Sequence, residues 1–236
     1  MSASATLVVR CVGRKGGEHA ATAATQLIGE YHPKAIVTLG ISGRLSDELT
    51  LGSVVVADAL VGWAASGRIE DGAGESDFSF KLAGDLFRSD KWFSDRIGGL
   101  RFESPLMYAQ WSKENDARLT SAGLESPGDR RLVRGDIAAG PFVAASKEFK
   151  AWILSHKRDY QAVDMESSGV ASASWGDAVK RTRLVAVRGI SDPADHTKGD
   201  VDRNSKQAFR KFAMISATTL LFSSVRHVLA VGWPEP

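Results

Sequence analysis

The chain has 236 residues, of which 43% are hydrophobic and 25% are charged. This length and composition are typical of a single globular domain, and they exclude a disordered or fibrous protein. Thirty Lys and Arg residues stand against 28 Asp and Glu residues, and the formal net charge is only +2. Because the basic residues are scattered and nearly balanced by acids, we do not expect a surface that binds nucleic acid.

Cysteine use and hydropathy predict the cellular location. Cys11 is the single cysteine and cannot form an internal disulfide, and its apolar neighbours predict a small buried hydrophobe. The first residues do not form a signal peptide, and no stretch approaches the roughly 18 apolar residues of a membrane span. We therefore expect a soluble, cytoplasmic protein without a membrane partner.

Short β-branched runs alternate with longer helical segments, a pattern that predicts an α/β fold with parallel strands joined by crossover helices. The pattern favours one domain over residues 1–230 and a tail or linker start at 231–236. In chain order the predicted elements are a strand at 6–12, a helix at 18–31, strands at 35–39 and 53–57, a helix at 146–156, a strand at 161–164, a helix at 167–175, a strand at 184–188 and a helix at 205–230.

The alternating pattern of strands and helices is weaker between residues 63 and 129. A Gly- and acid-rich loop is predicted at 66–76 and a helical stretch at 85–97. We interpret this region as a cap or excursion from the main fold.

The segment 185–195 is the most informative for function. It reads as a buried strand that stops at Gly189 and presents Ser191 and Asp192 at its carboxyl end, the edge where ligands bind in α/β sheets. Pro193 restrains the backbone at Asp192. The alternative is that Ser191 and Asp192 only form an Asx-type turn or cap a helix.

A second segment, 162–173, is a strand that runs into a helix of small residues. Glu166 lies at this junction, and its carboxylate can accept hydrogen bonds from two vicinal hydroxyls, as binding a ribose requires. The alternative is a first-turn acid that complements the helix dipole.

A third segment, 35–45, is a strand that breaks into a loop flanked by Gly40 and Gly43, where glycine permits close approach to a ligand. A Gly-x-x-Gly pattern alone is weak evidence for a ligand-binding loop, because glycines end many strands. Gly13, Gly16 and Gly17 do not form a dinucleotide-binding GxGxxG pattern.

Together these segments resemble the superfamily of purine nucleoside phosphorylase, uridine phosphorylase and methylthioadenosine/S-adenosylhomocysteine nucleosidase. The resemblance runs from about residue 7 to about residue 225 and depends on VDME at 163–166 and RGISDPAD at 188–195. The Gly-loop after residue 39 and the segment 135–143 are weaker matches. The motif at 188–195, followed here by HTK at 196–198, looks most similar to nucleosidase-like domains attached to signalling or defence proteins in fungi and bacteria. The family fold is a three-layer α/β/α domain with a central mixed twisted sheet.

The resemblance implies a role for each matching residue. Asp192 is the general acid that protonates the departing purine, and Ser191 orients it; protonation of this kind typically contributes about 10²–10⁴-fold to rate. Glu166 binds the ribose 2′- and 3′-hydroxyls. The other implied binding residues are Met165 against the sugar, Phe142 stacked on the base, the backbone of Val143 at the base edge, Gly40 and Ile41 in the Gly-loop, and Arg188 behind the site. The reaction needs no cofactor and no metal.

The nucleophile is left open between water and phosphate. Phosphorylases of the family have an arginine two residues before the Gly-loop, where this chain has Thr38, and a serine where it has Ile41. These differences favour water. Arg14, Arg44 or a neighbouring subunit could still supply a phosphate site.

The family also begins with a strand and hairpin that carry the glutamate thought to activate water, and residues 1–12 have no counterpart. Glu18 is the nearest candidate to replace that base. We expect an exposed sheet edge that another segment or another chain covers, and weak or no activity of the isolated chain. The resemblance also implies a homo-oligomer, because relatives often complete their sites with a residue from a neighbouring subunit. The first hypothesis is a hydrolase of purine, adenine-type nucleosides or nucleotides; the alternatives are a nucleoside sensor, a phosphorylase, and a structural interaction domain.

Overall fold

The computed structural model describes residues 5–71, 78–123, 125, 128–176, 182–205 and 207–231. Within these ranges, helices and strands alternate along the chain. The helices are α1 (Gly17–Tyr31), α2 (Lys91–Gly98), α3 (Leu100–Glu103), α4 (Pro105–Ser121), α5 (Lys147–His156), α6 (Ser167–Gly176), α7 (Lys198–Asn204) and α8 (Ala208–Val231). The strands are β1 (Ala35–Arg44), β2 (Val54–Asp71), β3 (Phe78–Arg88), β4 (Leu132–Ala139), β5 (Tyr160–Asp164) and β6 (Arg183–Asp192).

The strands form one mixed sheet in the order β3-β2-β4-β5-β1-β6, and β2 also pairs with β6. The pairs β1–β6, β2–β4 and β4–β5 are parallel, whereas β1–β5, β2–β3 and β2–β6 are antiparallel. Residues 54–56 of β2 pair with β4 on one side and with β6 on the other, so the strands other than β3 close into a ring. The predicted mixed α/β sheet is confirmed.

The register brings the carboxyl ends of four strands together. Asp192 of β6 lies opposite Gly43 of β1, and Gly43 lies opposite Val163 of β5. Ala139, the last residue of β4, lies opposite Asp164. Side chains and loops that follow these strands therefore share one edge of the sheet, where ligands bind in α/β folds.

Helices cover the sheet on both faces and bury its apolar side chains. On one face, Ala20, Ala24 and Ile28 of α1 pack with Val170 and Ala171 of α6 against the strands. On the other face, α2, α4 and α8 contribute the buried side chains Phe93, Ile97, Trp111, Ala217 and Leu220. This arrangement is the predicted three-layer α/β/α domain.

The helices predicted at 18–31, 146–156, 167–175 and 205–230 correspond to α1, α5, α6 and α8. The strands are longer than predicted. In particular, β6 does not stop at Gly189, because Gly189, Ile190 and Asp192 continue to pair with β1. Glycine is required at 189 by packing instead, since a Cβ there would lie 2.1 Å from the carbonyl oxygen of Ala213 in α8.

The strand predicted at 6–12 is wrong. These residues are described by the structure but belong to no strand, and the side chains of Leu7 and Val9 are 57% and 78% exposed. Cys11 is exposed rather than buried. An apolar alternation without a partner strand is therefore insufficient to form β-structure here.

The region 63–129 is also more regular than predicted. Most of the loop predicted at 66–76 is strand, because β2 continues to Asp71, and residues 72–77 lie outside the described ranges. The predicted helix at 85–97 is instead the end of β3 followed by α2. Asp90 sets the start of α2, where its carboxylate accepts a hydrogen bond of 3.0 Å from the N–H of Phe93.

The last helix bears on two further expectations. Within the described residues, 208–229 of α8 is long and apolar enough to cross a membrane by length and composition, contrary to the hydropathy expectation. However, 44% of that window is buried, and Ala213 and Leu220 are fully covered by the domain. It therefore packs as a core helix. Of the predicted tail 231–236, Val231 belongs to α8 and the remainder lies outside the described residues.

Candidate active site

A cleft lies at the edge where β1, β4, β5 and β6 end. Its volume of about 230 Å³ exceeds the ~150 Å³ of a cavity that holds a benzene ring, so a larger ligand fits. The lining residues are Lys15, Ile41, Ser42, Gly43, Phe142, Val143, Ala144, Val163, Asp164, Met165, Glu166, Ser191, Asp192, Lys198 and Arg210.

Asp192 closes β6 and is 2% exposed. Its Oδ2 lies 2.8 Å from Ser191 Oγ and accepts a hydrogen bond of 2.7 Å from Lys198 Nζ, while Oδ1 accepts one of 3.1 Å from the N–H of Ala194. The last bond is an Asx turn, as the alternative interpretation of this motif predicts, and the same side chain lines the cleft. The carboxylate is thus fixed at the wall of the cleft rather than on a mobile loop.

Glu166 lies between β5 and α6 on another part of the cleft wall. Its Oε1 accepts a hydrogen bond of 3.1 Å from the N–H of Gly16, which precedes α1. Gly16 has a φ of 108°, which favours glycine at this position. A carboxylate has about four acceptor positions, so Glu166 keeps capacity for ligand hydroxyls after binding this backbone group.

A buried ion pair supports the wall from behind. Arg188 Nε donates to Asp164 Oδ2 at 2.5 Å, and both side chains are 2% exposed or less. The same guanidinium donates hydrogen bonds to two oxygens of Thr38, the backbone carbonyl oxygen and Oγ1, and to Ser167 Oγ. Each of the three bonds is 2.7 Å long. This network ties β1, β5, β6 and α6 together directly beneath the cleft.

Phe142 and Val143 form a third part of the wall, after β4. They are 60% and 49% exposed, so both offer surface to a ligand. Phe142 leans on Trp63, whose ring centroid is 6.0 Å away, and Trp63 packs edge-on against Phe149 and Trp152 of α5. An aromatic cluster therefore supports the apolar side of the cleft.

Cationic side chains converge on the cleft from three elements. Lys15 precedes α1, Lys198 begins α7, and Arg210 belongs to α8. Arg210 forms a two-point ion pair with Asp202, with Nε–Oδ1 at 2.8 Å and Nη2–Oδ2 at 2.5 Å. The hydrogen bond from Arg210 holds the pKa of Asp202 below its ordinary value, and the same bond raises the pKa of Arg210.

The structure brings most of the predicted site residues together. Those that line the cleft are Ile41, Phe142, Val143, Met165, Glu166, Ser191 and Asp192. Gly40 and Arg188 lie beneath it, where a Cβ on Gly40 would be 3.3 Å from the guanidinium. Glu18 is exposed in the first turn of α1 and is outside the lining, as are Arg14 and Arg44.

Sequence reasoning missed Asp164 as the partner of Arg188, and the cations Lys15, Lys198 and Arg210. Asp164 could have been found from the need to neutralise an arginine within a buried strand. The cations gave no such signal, because they are far apart in the chain and resemble ordinary surface residues.

Comparison with known proteins gives a consistent result. The family profile described as the phosphorylase superfamily matches residues 3–228. ATP nucleosidase Cap17 of Escherichia coli is 24% identical over 247 residues, which cover 97% of this chain and 42% of that protein. The chain thus spans less than half the length of this curated relative.

Solved structures show the same fold. The 5′-methylthioadenosine/S-adenosylhomocysteine nucleosidase of Neisseria meningitidis, in complex with methylthio-immucillin-A, superposes with a TM-score of 0.64 at 21% identity, over 91% of this chain and 78% of that one. A Helicobacter pylori nucleosidase of the same kind, with 5′-methylthioadenosine in its active site, gives a TM-score of 0.63 at 18% identity with the same coverage.

Proposed function

The chain belongs to the phosphorylase superfamily, and we propose that it hydrolyses the N-glycosidic bond of a purine nucleoside or nucleotide. The observation that carries this proposal is the joint position of Asp192, Glu166 and Phe142 on one cleft at the carboxyl edge of the sheet. These side chains offer a proton donor, an acceptor for the ribose hydroxyls and an aromatic surface for the base.

Each group has a distinct task. Glu166 accepts from the ribose 2′- and 3′-hydroxyls, because a charged acceptor binds vicinal hydroxyls more strongly than a neutral one. Phe142 stacks on the base, and the backbone at Val143 meets the base edge. Met165, beside Glu166, packs against the sugar.

Asp192 is the general acid. In the reaction the bond from ribose C1′ to base N9 breaks, Asp192 donates its proton to N7 of the purine, and the oxygen of water bonds to C1′. The proton released by that water restores Asp192 through solvent, so one water is consumed for each base and ribose formed. Ser191 Oγ, within 2.8 Å of Asp192 Oδ2, holds the carboxyl group in place during this exchange.

Water, rather than phosphate, is the proposed nucleophile. Thr38 occupies the position of the phosphorylase arginine, and both of its oxygens are engaged by Arg188. Ile41 replaces the corresponding serine and lines the cleft without a polar group. This side of the cleft is therefore poorly suited to bind a phosphate ion next to C1′.

The relatives support an adenine-type substrate. The Escherichia coli relative is an ATP nucleosidase, and the Helicobacter pylori structure contains 5′-methylthioadenosine. We propose adenosine derivatives as the substrate class, and a cytoplasmic homo-oligomer as the working form. Sedimentation analysis of the purified protein tests the oligomeric state.

The function is tested by incubating the purified protein with adenosine, 5′-methylthioadenosine and ATP, and measuring free adenine by chromatography. We expect adenine from at least one of them without added phosphate, and release that is slower by about 100-fold or more in the Asp192→Asn variant. Formation of ribose 1-phosphate only when phosphate is added would identify a phosphorylase. Nucleoside binding without any base release would identify a sensor domain and contradict the proposal.

A further inference from the structure

The three cationic side chains of the cleft differ in whether an acidic side chain neutralises them. Arg210 is paired with Asp202, and Lys198 is paired with Asp192. Lys15 forms neither a hydrogen bond nor an ion pair with any residue that the structure describes, although it is near enough to help lower the pKa of Asp202. The three cations therefore form one cluster, with at least one charge available to a ligand.

The position of this cluster is set by two of the residues already placed. Lys15 directly precedes Gly16, whose N–H binds Glu166, so it adjoins the ribose end of the cleft. Lys198 contacts Asp192. With the ribose hydroxyls on Glu166 and the base on Phe142, the 5′-carbon is the part of the ligand left to face Lys15, Lys198 and Arg210.

We propose that Lys15, Lys198 and Arg210 form a binding site for the 5′-phosphate groups of a nucleotide substrate. This inference rests on the proposed function, because it uses the same orientation of base and ribose. Lysine ammonium and arginine guanidinium groups are the donors that bind phosphate most strongly, through charge-assisted hydrogen bonds. The three side chains come from different parts of the fold, so they can approach a tetrahedral phosphate from different directions.

Lys198 links phosphate binding to catalysis. Its ammonium group lies 2.7 Å from Asp192 Oδ2 and donates a hydrogen bond to that oxygen. A general acid must carry a proton. A phosphate group competes for Lys198, and when Lys198 moves to the phosphate, the Asp192 carboxyl group loses this contact and is free to act as the donor to N7. The substrate's own phosphate thereby activates the acid, and nucleotides are favoured over nucleosides.

Binding is tested with a probe that cannot react. 9-Deazaadenosine and its 5′-triphosphate have a carbon–carbon bond in place of the glycosidic bond, so calorimetry measures affinity without turnover. We expect Lys15→Gln and Arg210→Gln to weaken the binding of the triphosphate by about tenfold or more. The affinity for the nucleoside should change by less than about twofold. The double variant Asp202→Asn/Arg210→Gln removes the charge of Arg210 without leaving Asp202 as an acid that has lost its partner.

The matched controls are Lys211→Gln on α8 and Arg203→Gln on α7. Lys211 is exposed, and Arg203 is paired at the surface with Asp200; neither lines the cleft. Both controls remove one positive charge close to the cluster and should leave both affinities unchanged. Equal weakening of nucleoside and triphosphate in the cluster variants, or losses of the same size in the controls, overturns the phosphate site.

The source of the phosphate is tested separately. If the cluster instead binds free phosphate as a nucleophile, inorganic phosphate will accelerate adenosine cleavage and yield ribose 1-phosphate, which overturns the assignment to the 5′ position. Simple competition of inorganic phosphate with the triphosphate probe supports the assignment.

Lys198→Gln tests the link to the acid. We expect kcat/KM for ATP to fall by about tenfold more than kcat/KM for adenosine. An equal fall for both substrates contradicts the exchange of Lys198. Selective binding of the triphosphate probe without turnover of any substrate contradicts the proposed function and leaves the phosphate site standing.

Discussion

Arg188 Nε and Asp164 Oδ2 lie 2.5 Å apart beneath the cleft, with both side chains almost fully buried. Burying two charges costs free energy, and the pair is tolerated because Thr38 and Ser167 satisfy the remaining donors of Arg188. These same bonds connect the strand that carries Asp192 to the helix that begins beside Glu166. The ion pair therefore fixes the spacing of the two residues proposed to act on the substrate.

Removing one partner of this pair should destabilise the protein strongly. We expect Arg188→Met to lower the free energy of unfolding by about 3–5 kcal/mol, because Asp164 is left as a buried unpaired charge. The double variant Arg188→Met/Asp164→Leu should lose less than Arg188→Met alone. Urea unfolding followed by circular dichroism measures both, and a double variant at least as unstable as Arg188→Met would refute this account.

Asp192→Asn should remove the proton donor while keeping the size of the side chain. We expect cleavage to fall by roughly two orders of magnitude or more, with the fold and nucleoside binding retained. The measurement is single-turnover release of adenine. Asp159→Asn, at an exposed position, is the matched control and should cleave at the parent rate. Parent-like turnover of Asp192→Asn would rule out the general-acid role.

Glu166→Gln should weaken the binding of ribosides but not the binding of the free base. The amide oxygen can still accept from the N–H of Gly16, so the local structure is retained, but charge-assisted acceptance from the ribose hydroxyls is lost. We expect weaker binding of 9-deazaadenosine and unchanged binding of adenine, measured by calorimetry. In the variant, removal of the ligand's 2′-hydroxyl should cost less affinity than in the parent. A 2′-deoxy penalty of the same size in both proteins would contradict the ribose assignment.

The sequence was sufficient to predict the layers and the main motifs, because these depend on local pattern. The strand around Val187 contains the continuous apolar run LVAV at 184–187, as is typical of a buried parallel strand. Glu166 comes shortly after the end of β5 and Asp192 is the last residue of β6, so their convergence at one edge follows from the topology.

Other features could not be predicted because they depend on contacts distant in the chain. The extent of β6 to Asp192 depends on pairing with β1, not on Gly189 itself. Residues 6–12 have a strand-like pattern but lack a partner strand within the described structure. Lys15 and Arg210 are brought to one cleft only by the packing of α1 and α8, and no spacing in the sequence indicates it.

The ion pair of Asp202 with Arg210 predicts a specific pH dependence. The hydrogen bond from Arg210 lowers the pKa of Asp202 below its ordinary value of 3.8. A carboxyl group with a depressed folded-state pKa contributes stability that is complete above the unfolded pKa and is lost as pH falls through the folded pKa. The stability difference between the parent and Asp202→Asn should therefore be constant near neutral pH and shrink below about pH 4. Urea unfolding from pH 7 to pH 3 tests this, with Asp200→Asn, in an exposed pair, as a control that shows little difference. A difference that grows with acidity would contradict the sign.

Gly169→Ala should disturb the ribose side of the cleft from beneath. α6 packs so closely on α1 that a Cβ at residue 169 would lie 1.9 Å from the carbonyl oxygen of Gly17, a backbone atom that cannot move independently of its helix. Gly17 follows Gly16, the residue that donates to Glu166. Separating the two helices therefore costs packing energy and draws the N–H of Gly16 away from Glu166.

We expect Gly169→Ala to lower the free energy of unfolding by about 1–3 kcal/mol, as overpacking of a close contact does, and to raise KM for a nucleoside more than it lowers kcat. Gly176→Ala is the matched control on the same helix, because a Cβ there meets nothing within 4 Å. Its stability should change by no more than about 0.5 kcal/mol, in either direction. Urea unfolding and steady-state cleavage of adenosine measure the two effects. If Gly169→Ala behaved like Gly176→Ala in both assays, the close approach of α1 and α6 would have no part in positioning Glu166.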